Sequence, residues 1–262
     1  MNKGICNYTI IPARKEPNET SEMVTQVLFG ETYTITESAS KWVNVEIDFD
    51  GYKGWIDEKL VTKIKNEDYE NYKAANKRIV DKLLCTARIQ KREGLHYLLM
   101  GSEINDLNEN CFSIAGNSME LTFPLGGPVT QSKREKIIYA ALQLLNIPYL
   151  WGGRSSFGID CSGLVQTTCK IAGINMLRDA SQQANQGKTI SFIDEALPGD
   201  ILFFDNSDGN IVHTGILLTS DTIIHASGSV RIDTIDHKGI FNQEKGEYTH
   251  KLRLIKNVVD SI

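Results

Sequence analysis

The sequence is short of the features that mark basic, disulfide-built or membrane-spanning proteins. Its 28 Lys and Arg are outnumbered by 33 Asp and Glu, for a net charge of −5, so no electrostatic footprint for nucleic acid is present. The sequence pI of about 5.6 likewise gives no hold on anionic polymers through charge alone. No apolar run approaches the roughly 20 residues that a membrane-spanning helix requires. The five cysteines, at positions 6, 85, 111, 161 and 169, are odd in number and widely spaced, with no Cys-x-x-Cys. That pattern argues against a disulfide framework and a structural zinc site, and four of the five are read as small buried apolar groups. The opening MNKGICNYTIIPARKE lacks a long apolar segment and a small-residue cleavage site. A cytoplasmic protein is expected; the alternative is a periplasmic or exported one whose signal segment has been removed.

What is present is ordinary globular material. A hydrophobic fraction of 41% and 262 residues are enough for more than one core. Residues 1–62 read as short strands. Val43, Val45 and Ile47 alternate with polar residues in the manner of a half-buried strand, and Asp50-Gly51 supplies a hairpin turn before Tyr52-Lys53-Gly54-Trp55. Residues 63–82 form a polar helix or linker with a thin apolar stripe at Tyr69, Tyr72, Ile79 and Val80. Residues 83–125 turn strand-like again, and Tyr97–Glu103 echoes Gln26–Thr32 (YLLMGSE against QVLFGET). A second small barrel is the expected reading, the alternative being an irregular extension of the first. Pro124-Leu125-Gly126-Gly127-Pro128 punctuates a boundary. The expected domains are therefore 1–62, 63–125 and 126–262.

The third segment opens with a capping box, Ser132-x-x-Glu135, ahead of an amphipathic helix. Its expected buried face is Ile137, Ile138, Ala141, Leu144 and Leu145, with Pro148 ending it. A glycine-rich stretch then leads into Asp160-Cys161-Ser162-Gly163-Leu164, whose helix should close at Gly173. Strands resume at residues 200–205, 212–218, 222–225 and 230–235. Helices followed by an antiparallel run make an α+β layout.

With Asp160 as N-cap, Cys161 opens a helix, where unpaired N–H groups and the helix dipole favour negative charge. A thiol there, beside an imidazolium, is expected to be acidic, falling from about 8.5 toward 3–4 in the strongest cases. The same N–H groups can donate to an oxyanion. His213 and His225 lie on neighbouring strands joined by a turn at Ser220-Asp221. One can take the thiol proton while the other orients its ring. His96, His237 and His250 have no such context and are read as exposed.

Four segments in order, IDCSGL, PGDILFF, VHTGILL and IIHASG, resemble the NlpC-type cell-wall cysteine peptidases over residues 130 to about 256. The resemblance implies a papain-like catalytic domain preceded by two small all-β SH3-like barrels. It implies Cys161 as nucleophile, His213 as base and His225 as third polar residue, with no cofactor and no metal. With the paired barrels, the chain resembles the branch of γ-D-glutamyl-L-diamino-acid endopeptidases, which hydrolyse peptidoglycan stem peptides of the form L-Ala-γ-D-Glu-L-diamino acid. Carried over by that likeness, Tyr149 and Trp151 line the cleft, with Tyr149 a candidate oxyanion donor. Asp160, Ser162, Asp179 and Ser181 contact substrate, and Asp160 can equally be only a helix cap. Glu22 and Tyr52 of the first barrel would read a free N-terminal amine through a buried carboxylate. Three alternatives stay open: an inert peptidoglycan-binding protein, a thiol amidase or acyl-transferase, and a metal held by Cys161, His213 and His225.

Overall fold

The computed structural model describes residues 2–90, 94–125 and 131–260. The Gly126-Gly127-Pro128 part of the expected boundary lies outside the described residues. Two compact units emerge: Met1–Pro128 with Trp151–Ser156, and Val129–Leu150 with Phe157–Ile262. Among the described residues no helix is long and apolar enough to cross a membrane.

In the first unit, β1 (Lys3–Ile5), β2 (Ile10–Arg14), β3 (Met23–Leu28), β4 (Thr32–Ala39), β5 (Trp42–Ile47), β6 (Lys53–Asp57) and β7 (Lys63–Ile64) form one sheet in the order β3-β2-β6-β5-β4-β1-β7. The alternation in β5 is realised: Val43, Val45 and Ile47 are buried and pack with Ile11, Val27, Tyr33 and Ile56. The Asp50-Gly51 turn is longer than a two-residue hairpin. Ile47 N–H reaches Tyr52 O at 2.9 Å and Gly51 N–H reaches Ile47 O at 2.8 Å, with Gly51 at φ +71°.

Helix α1 (Asn66–Ala74) buries Tyr69 alone, which suits its polar composition. After it come β8 (Lys77–Ile79), β9 (Leu84–Ile89), β10 (Leu95–Leu99), β11 (Glu103–Asn105), β12 (Cys111–Ile114) and β13 (Asn117–Leu121), paired as β10-β9-β13-β12 and β11-β8. The sequence echo is a structural repeat. Gly30 and Gly101 are left-handed at φ +83° and +90°. Each follows a buried pair, Leu28-Phe29 and Leu99-Met100. Glu31 N–H bonds Leu28 O and Ser102 N–H bonds Leu99 O, both at 3.0 Å. The same turn leads from β3 to β4 and from β10 to β11. Phe29, Leu98, Ile104 and Phe112 join in a shared core.

In the second unit, Ser132 and Glu135 form the expected capping box at the start of α2 (Lys133–Gln143). Its buried face is Ile137, Ala140, Ala141 and Leu144, while Leu145 is exposed. The helix stops before Pro148, where Asn146 takes a left-handed φ of +68°. After β14 (Arg154–Ser155), which belongs to the first unit, come β15 (Gly158–Ile159), α3 (Cys161–Ile171), α4 (Ala180–Gln183) and β16 (Lys188–Ile190). Gly173, at φ +75°, follows α3 as expected.

The remaining strands are β17 (Ile201–Asp205), β18 (Ile211–Leu217), β19 (Thr222–Ser227), β20 (Ser229–Ile235), β21 (Gly239–Asn242) and β22 (Glu247–Asn257). They run β16-β22-β17-β18-β19-β20-β21, and β22 also pairs with β21, so β17–β22 close into a ring. The eleven-residue β22 pairs with both β17 and β21 because its register shifts against each of these two, the usual effect of a bulge. At Gly239 (φ +142°) an added Cβ would lie 1.9 Å from His250 O. Only glycine lets β21 approach β22 there. Helix α3 packs on α2, β18 and β19.

Candidate active site

Asp160 caps α3 with φ −92° and ψ 176°, and its Oδ1 accepts the Gly163 N–H at 2.7 Å. The same carboxylate is gripped by Arg178, Nη1 to Oδ1 at 3.0 Å and Nη2 to Oδ2 at 2.5 Å. Ser162 Oγ donates to Asp160 Oδ1 at 3.1 Å and accepts from Arg178 Nη1 at 2.8 Å. All three side chains are buried, so charge, cap and hydroxyl satisfy one another.

This frame puts Cys161 at the first position of α3, and only 8% of it is exposed. The backbone N–H groups of Ser162 and Thr214 point at its sulfur, and Thr214 is the neighbour of His213 on β18. The resting thiol is nonetheless not acidic. Burial pushes it up to about 12, the Asp160 charge adds to the rise, and the two N–H groups and Arg178 pull only part of the way back. The expected acidic thiol therefore gives way to a neutral one. The helix end it sits on is already satisfied by the Asp160 carboxylate, and no imidazolium stands beside it.

His213 is neutral for related reasons. Burial holds it well below the ordinary histidine value, and His250 and His225 push the same way. His213 Nε2 lies 2.9 Å from His225 Nδ1, and His225 Nε2 lies 2.9 Å from Asp233 Oδ2. Burial works against the Asp233 carboxylate, yet His225 and Arg231 hold its pKa below the ordinary carboxylate range and keep it ionised. Its protons are then fixed by elimination. An ionised carboxylate only accepts, so His225 carries a hydrogen on Nε2, and in its neutral form it offers a bare Nδ1 to His213. His213 must donate from Nε2, which leaves its Nδ1 lone pair free of a proton. That is the tautomer a general base needs.

Glycine in the His-Thr-Gly-Ile run has a steric reason: a Cβ on Gly215 would meet the His225 Cβ at 2.9 Å, consistent with the Gly215↔His225 register. Three participants escaped the sequence reading. Asp233 sits inside on a strand whose apolar Ile232 faces out. The inward parity of Ile235 was the available signal. Arg178 meets Asp160 across eighteen positions of chain, and no periodicity announces it. His250, read as exposed, is partly buried on β22, its ring stacked on His213 with centroids 4.1 Å apart and 26° between planes. Burial lowers its pKa to about 4. His237 is exposed as expected, whereas His96 is half-buried.

Tyr149 is half-buried, and burial with the nearby Cys161 raises its hydroxyl to about 12, keeping it a donor. Asp179 is the N-cap of α4, where Gln182 Oε1 reaches back to its N–H at 3.0 Å. Ser181 is exposed on that short helix. Trp151, Glu22 and Tyr52 belong to the first unit. Glu22 is not the buried carboxylate expected: its side chain is 40% exposed and lies 3.6 Å from the Lys15 Nζ. It also accepts the Trp151 indole N–H at 2.7 Å. Tyr52 is half-buried just before β6. Among the other cysteines, Cys6 and Cys169 are buried, but Cys85 is half-buried and Cys111 exposed.

The NlpC/P60 family profile matches residues 146–247, and that of the bacterial dipeptidyl-peptidase Sh3 domain matches residues 13–60. A γ-D-glutamyl-L-lysine dipeptidyl-peptidase of Bacillus subtilis (strain 168) is 32% identical over 216 residues, 77% of this chain and 71% of the relative. A Bacillus cereus (strain ATCC 10987 / NRS 248) protein of the same name is 26% identical over 257 residues, 86% of this chain and 74% of its own. The crystal structure of an NlpC/P60 family protein from Bacillus cereus ATCC 10987 shares the fold, with TM-score 0.81 and 20% identity over 98% of this chain and 99% of that one. With a cysteine at a helix start, a histidine pair on adjacent strands and a papain-like domain behind an SH3-like region, this chain belongs to the NlpC/P60 family of cysteine peptidases.

Proposed function

We propose that this chain hydrolyses the γ-D-glutamyl-L-diamino-acid bond of peptidoglycan stem peptides that carry a free N-terminal L-Ala. The observation that carries the chemistry is the Asp233–His225–His213 relay, which leaves His213 Nδ1 as a free acceptor, on the strand where the neighbouring Thr214 N–H points at the Cys161 sulfur. The bond choice is supported by the names of the two relatives.

On this reading substrate binding triggers the proton transfer. His213 Nδ1 takes the Cys161 proton as sulfur attacks the γ-carbonyl carbon, and the carbonyl π electrons pass to oxygen. The Cys161 backbone N–H at the start of α3, with the Tyr149 hydroxyl as a second donor, stabilises that oxyanion. Collapse expels the diamino acid's amine, which takes the proton back from His213 and leaves a thioester. Water, deprotonated by His213, then attacks the thioester carbon. The acid L-Ala-γ-D-Glu departs and the thiol is restored. Asp179, the N-cap of α4 in the catalytic unit, is the carboxylate assigned to the substrate amine. Imported turnover fragments in the cytoplasm are the substrates that suit an amine requirement.

The test is mass spectrometry after incubation with L-Ala-γ-D-Glu-L-Lys and with its N-acetylated form. Release of Lys from the free peptide alone supports both bond and amine requirement. Cleavage of both forms removes the amine requirement. Cleavage of neither, with Cys161 unmodified by thioester formation, turns the reading toward an inert binding protein.

A further inference from the structure

The relay accounts for two histidines, and His250 is left over. It reaches the same barrel end from β22, a strand that does not adjoin β18 or β19. One ring nitrogen from each of His213, His225 and His250 lies within 4.8 Å of the other two. Three imidazoles converging from three strands are the donor set of a tetrahedral zinc site with one open position. The surroundings are those of a built site. His225 Nε2 is bound to the Asp233 carboxylate at 2.9 Å, the partner that orients a metal-bound histidine and raises its basicity. Thr249 Oγ1 stands 2.9 Å from His250 Nδ1, which leaves Nε2 for a ligand. Phe204 packs edge-on against His250, centroids 6.0 Å apart, and forms an apolar flank.

We propose that His213, His225 and His250 form an inhibitory binding site for a borderline divalent metal ion, Zn²⁺ being the best match. Its effect on turnover rests on the peptidase reading above; its existence does not. With Zn–N bonds of about 2.0–2.1 Å, tetrahedral ligands stand roughly 3.3 Å apart. The 2.9 Å between His213 Nε2 and His225 Nδ1 therefore opens slightly, and a side-chain rotation of the half-buried His250 closes the longer spacing. The consequence for chemistry follows from the proton count. The resting His213 bears hydrogen on Nε2. Metal ligation there requires that hydrogen to leave and Nδ1 to take one up from solvent, with no net change in charge on the ring. A protonated Nδ1 cannot accept the thiol proton, so the bound metal switches off the base without touching sulfur. This ligand set differs from a Cys161-based one, and the difference is measurable.

The experiment titrates Zn²⁺ against a chromophoric chelator for the full chain, for Cys161→Ala and for His250→Phe, which keeps a ring in the stack. Cys161→Ala is expected to bind within about threefold of the parent and His250→Phe at least about tenfold more weakly. Co²⁺ bound to the parent is expected to show no thiolate-to-metal charge-transfer band. Zn²⁺ at filling concentrations should stop Lys release, and chelator should restore it. Loss of binding in Cys161→Ala, a charge-transfer band, unchanged binding in His250→Phe, or no binding below about 100 μM would each overturn the site. Were His250→Phe to misfold, the Co²⁺ spectrum and the Cys161→Ala titration still decide it. Binding without inhibition would retain the site and overturn its inhibitory role. Since Cys161→Ala is read by binding alone, an inactive parent would discredit the peptidase reading and leave the metal site standing.

Discussion

At the scale of single residues, the site works by protons assigned through contacts. Asp233 sets the tautomer of His225, and His225 sets that of His213. Replacing Asp233 by Asn allows an amide N–H to face His225 Nε2, which reverses the donor order and puts hydrogen on His213 Nδ1. Turnover of the tripeptide should fall by about 10- to 100-fold with little change in KM, since Asp233 is assigned no contact with substrate. Steady-state kinetics check this, and an unchanged kcat would remove Asp233 from the relay. Arg178 acts one step further out. It neutralises the Asp160 carboxylate and is itself 2% exposed. Arg178→Met would leave a buried charge with its ion-pair partner gone, at a cost of about 3–5 kcal/mol, read from urea unfolding. A loss below about 1 kcal/mol would mean that Asp160 is otherwise satisfied.

At the scale of elements, what was legible in the sequence is what short-range rules govern. The Asp160 cap, the Ser132–Glu135 box and the Gly173 terminus each depend on residues within four positions, so local chemistry announces them. The Gln26–Thr32 echo was visible because one turn is used twice. The end of α2 was placed too late, because Asn146 rather than Pro148 turns the chain. Ring closure by β22 was invisible, since it depends on Ile240↔His250 and Phe203↔Leu254 pairings set by register shifts and by Gly239. With the closure unseen, His250 had no reason to be read as buried. That closure has a pH signature. His213 and His250 are held below their ordinary values in the fold, His250 down to about 4. Between there and about 6.5 the unfolded chain binds more protons than the folded one, so stability is full above that window and falls as pH drops through it. Thermal melts from pH 7.5 to 4.5 should show Tm declining below about 6.5. His250→Phe should flatten the decline, and an equally steep curve would show that the ring titrates elsewhere.

For the whole molecule, the order of the chain and the order of its cores disagree in one place. Residues Trp151–Ser156 lie in sequence between two parts of the second unit but belong by their contacts to the first. The reason is a buried ion pair. Arg154, 0% exposed, holds Glu31 through Nη1 at 3.1 Å and Nη2 at 3.0 Å, while its N–H bonds the Gln26 side chain and Nη1 bonds the Gln26 carbonyl. Gly152 lies so close that an added Cβ would stand 2.3 Å from Met23 O. A boundary drawn by sequence alone cannot see this, because the pairing joins positions more than a hundred residues apart. If the buried pair is what assigns the segment, its stability must follow β3 and not α3. Hydrogen exchange on the full chain separates the two. The Arg154 amide should exchange at the rate of Val27 and Leu28, and Glu31→Gln should speed all three together while leaving Val165 and Thr168 protected. A double-mutant cycle of Glu31→Gln with Arg154→Met should then give a coupling of about 1–3 kcal/mol. An Arg154 amide that kept pace with α3 instead would place the segment in the catalytic unit, and the ion pair would be a consequence of folding there and not its cause.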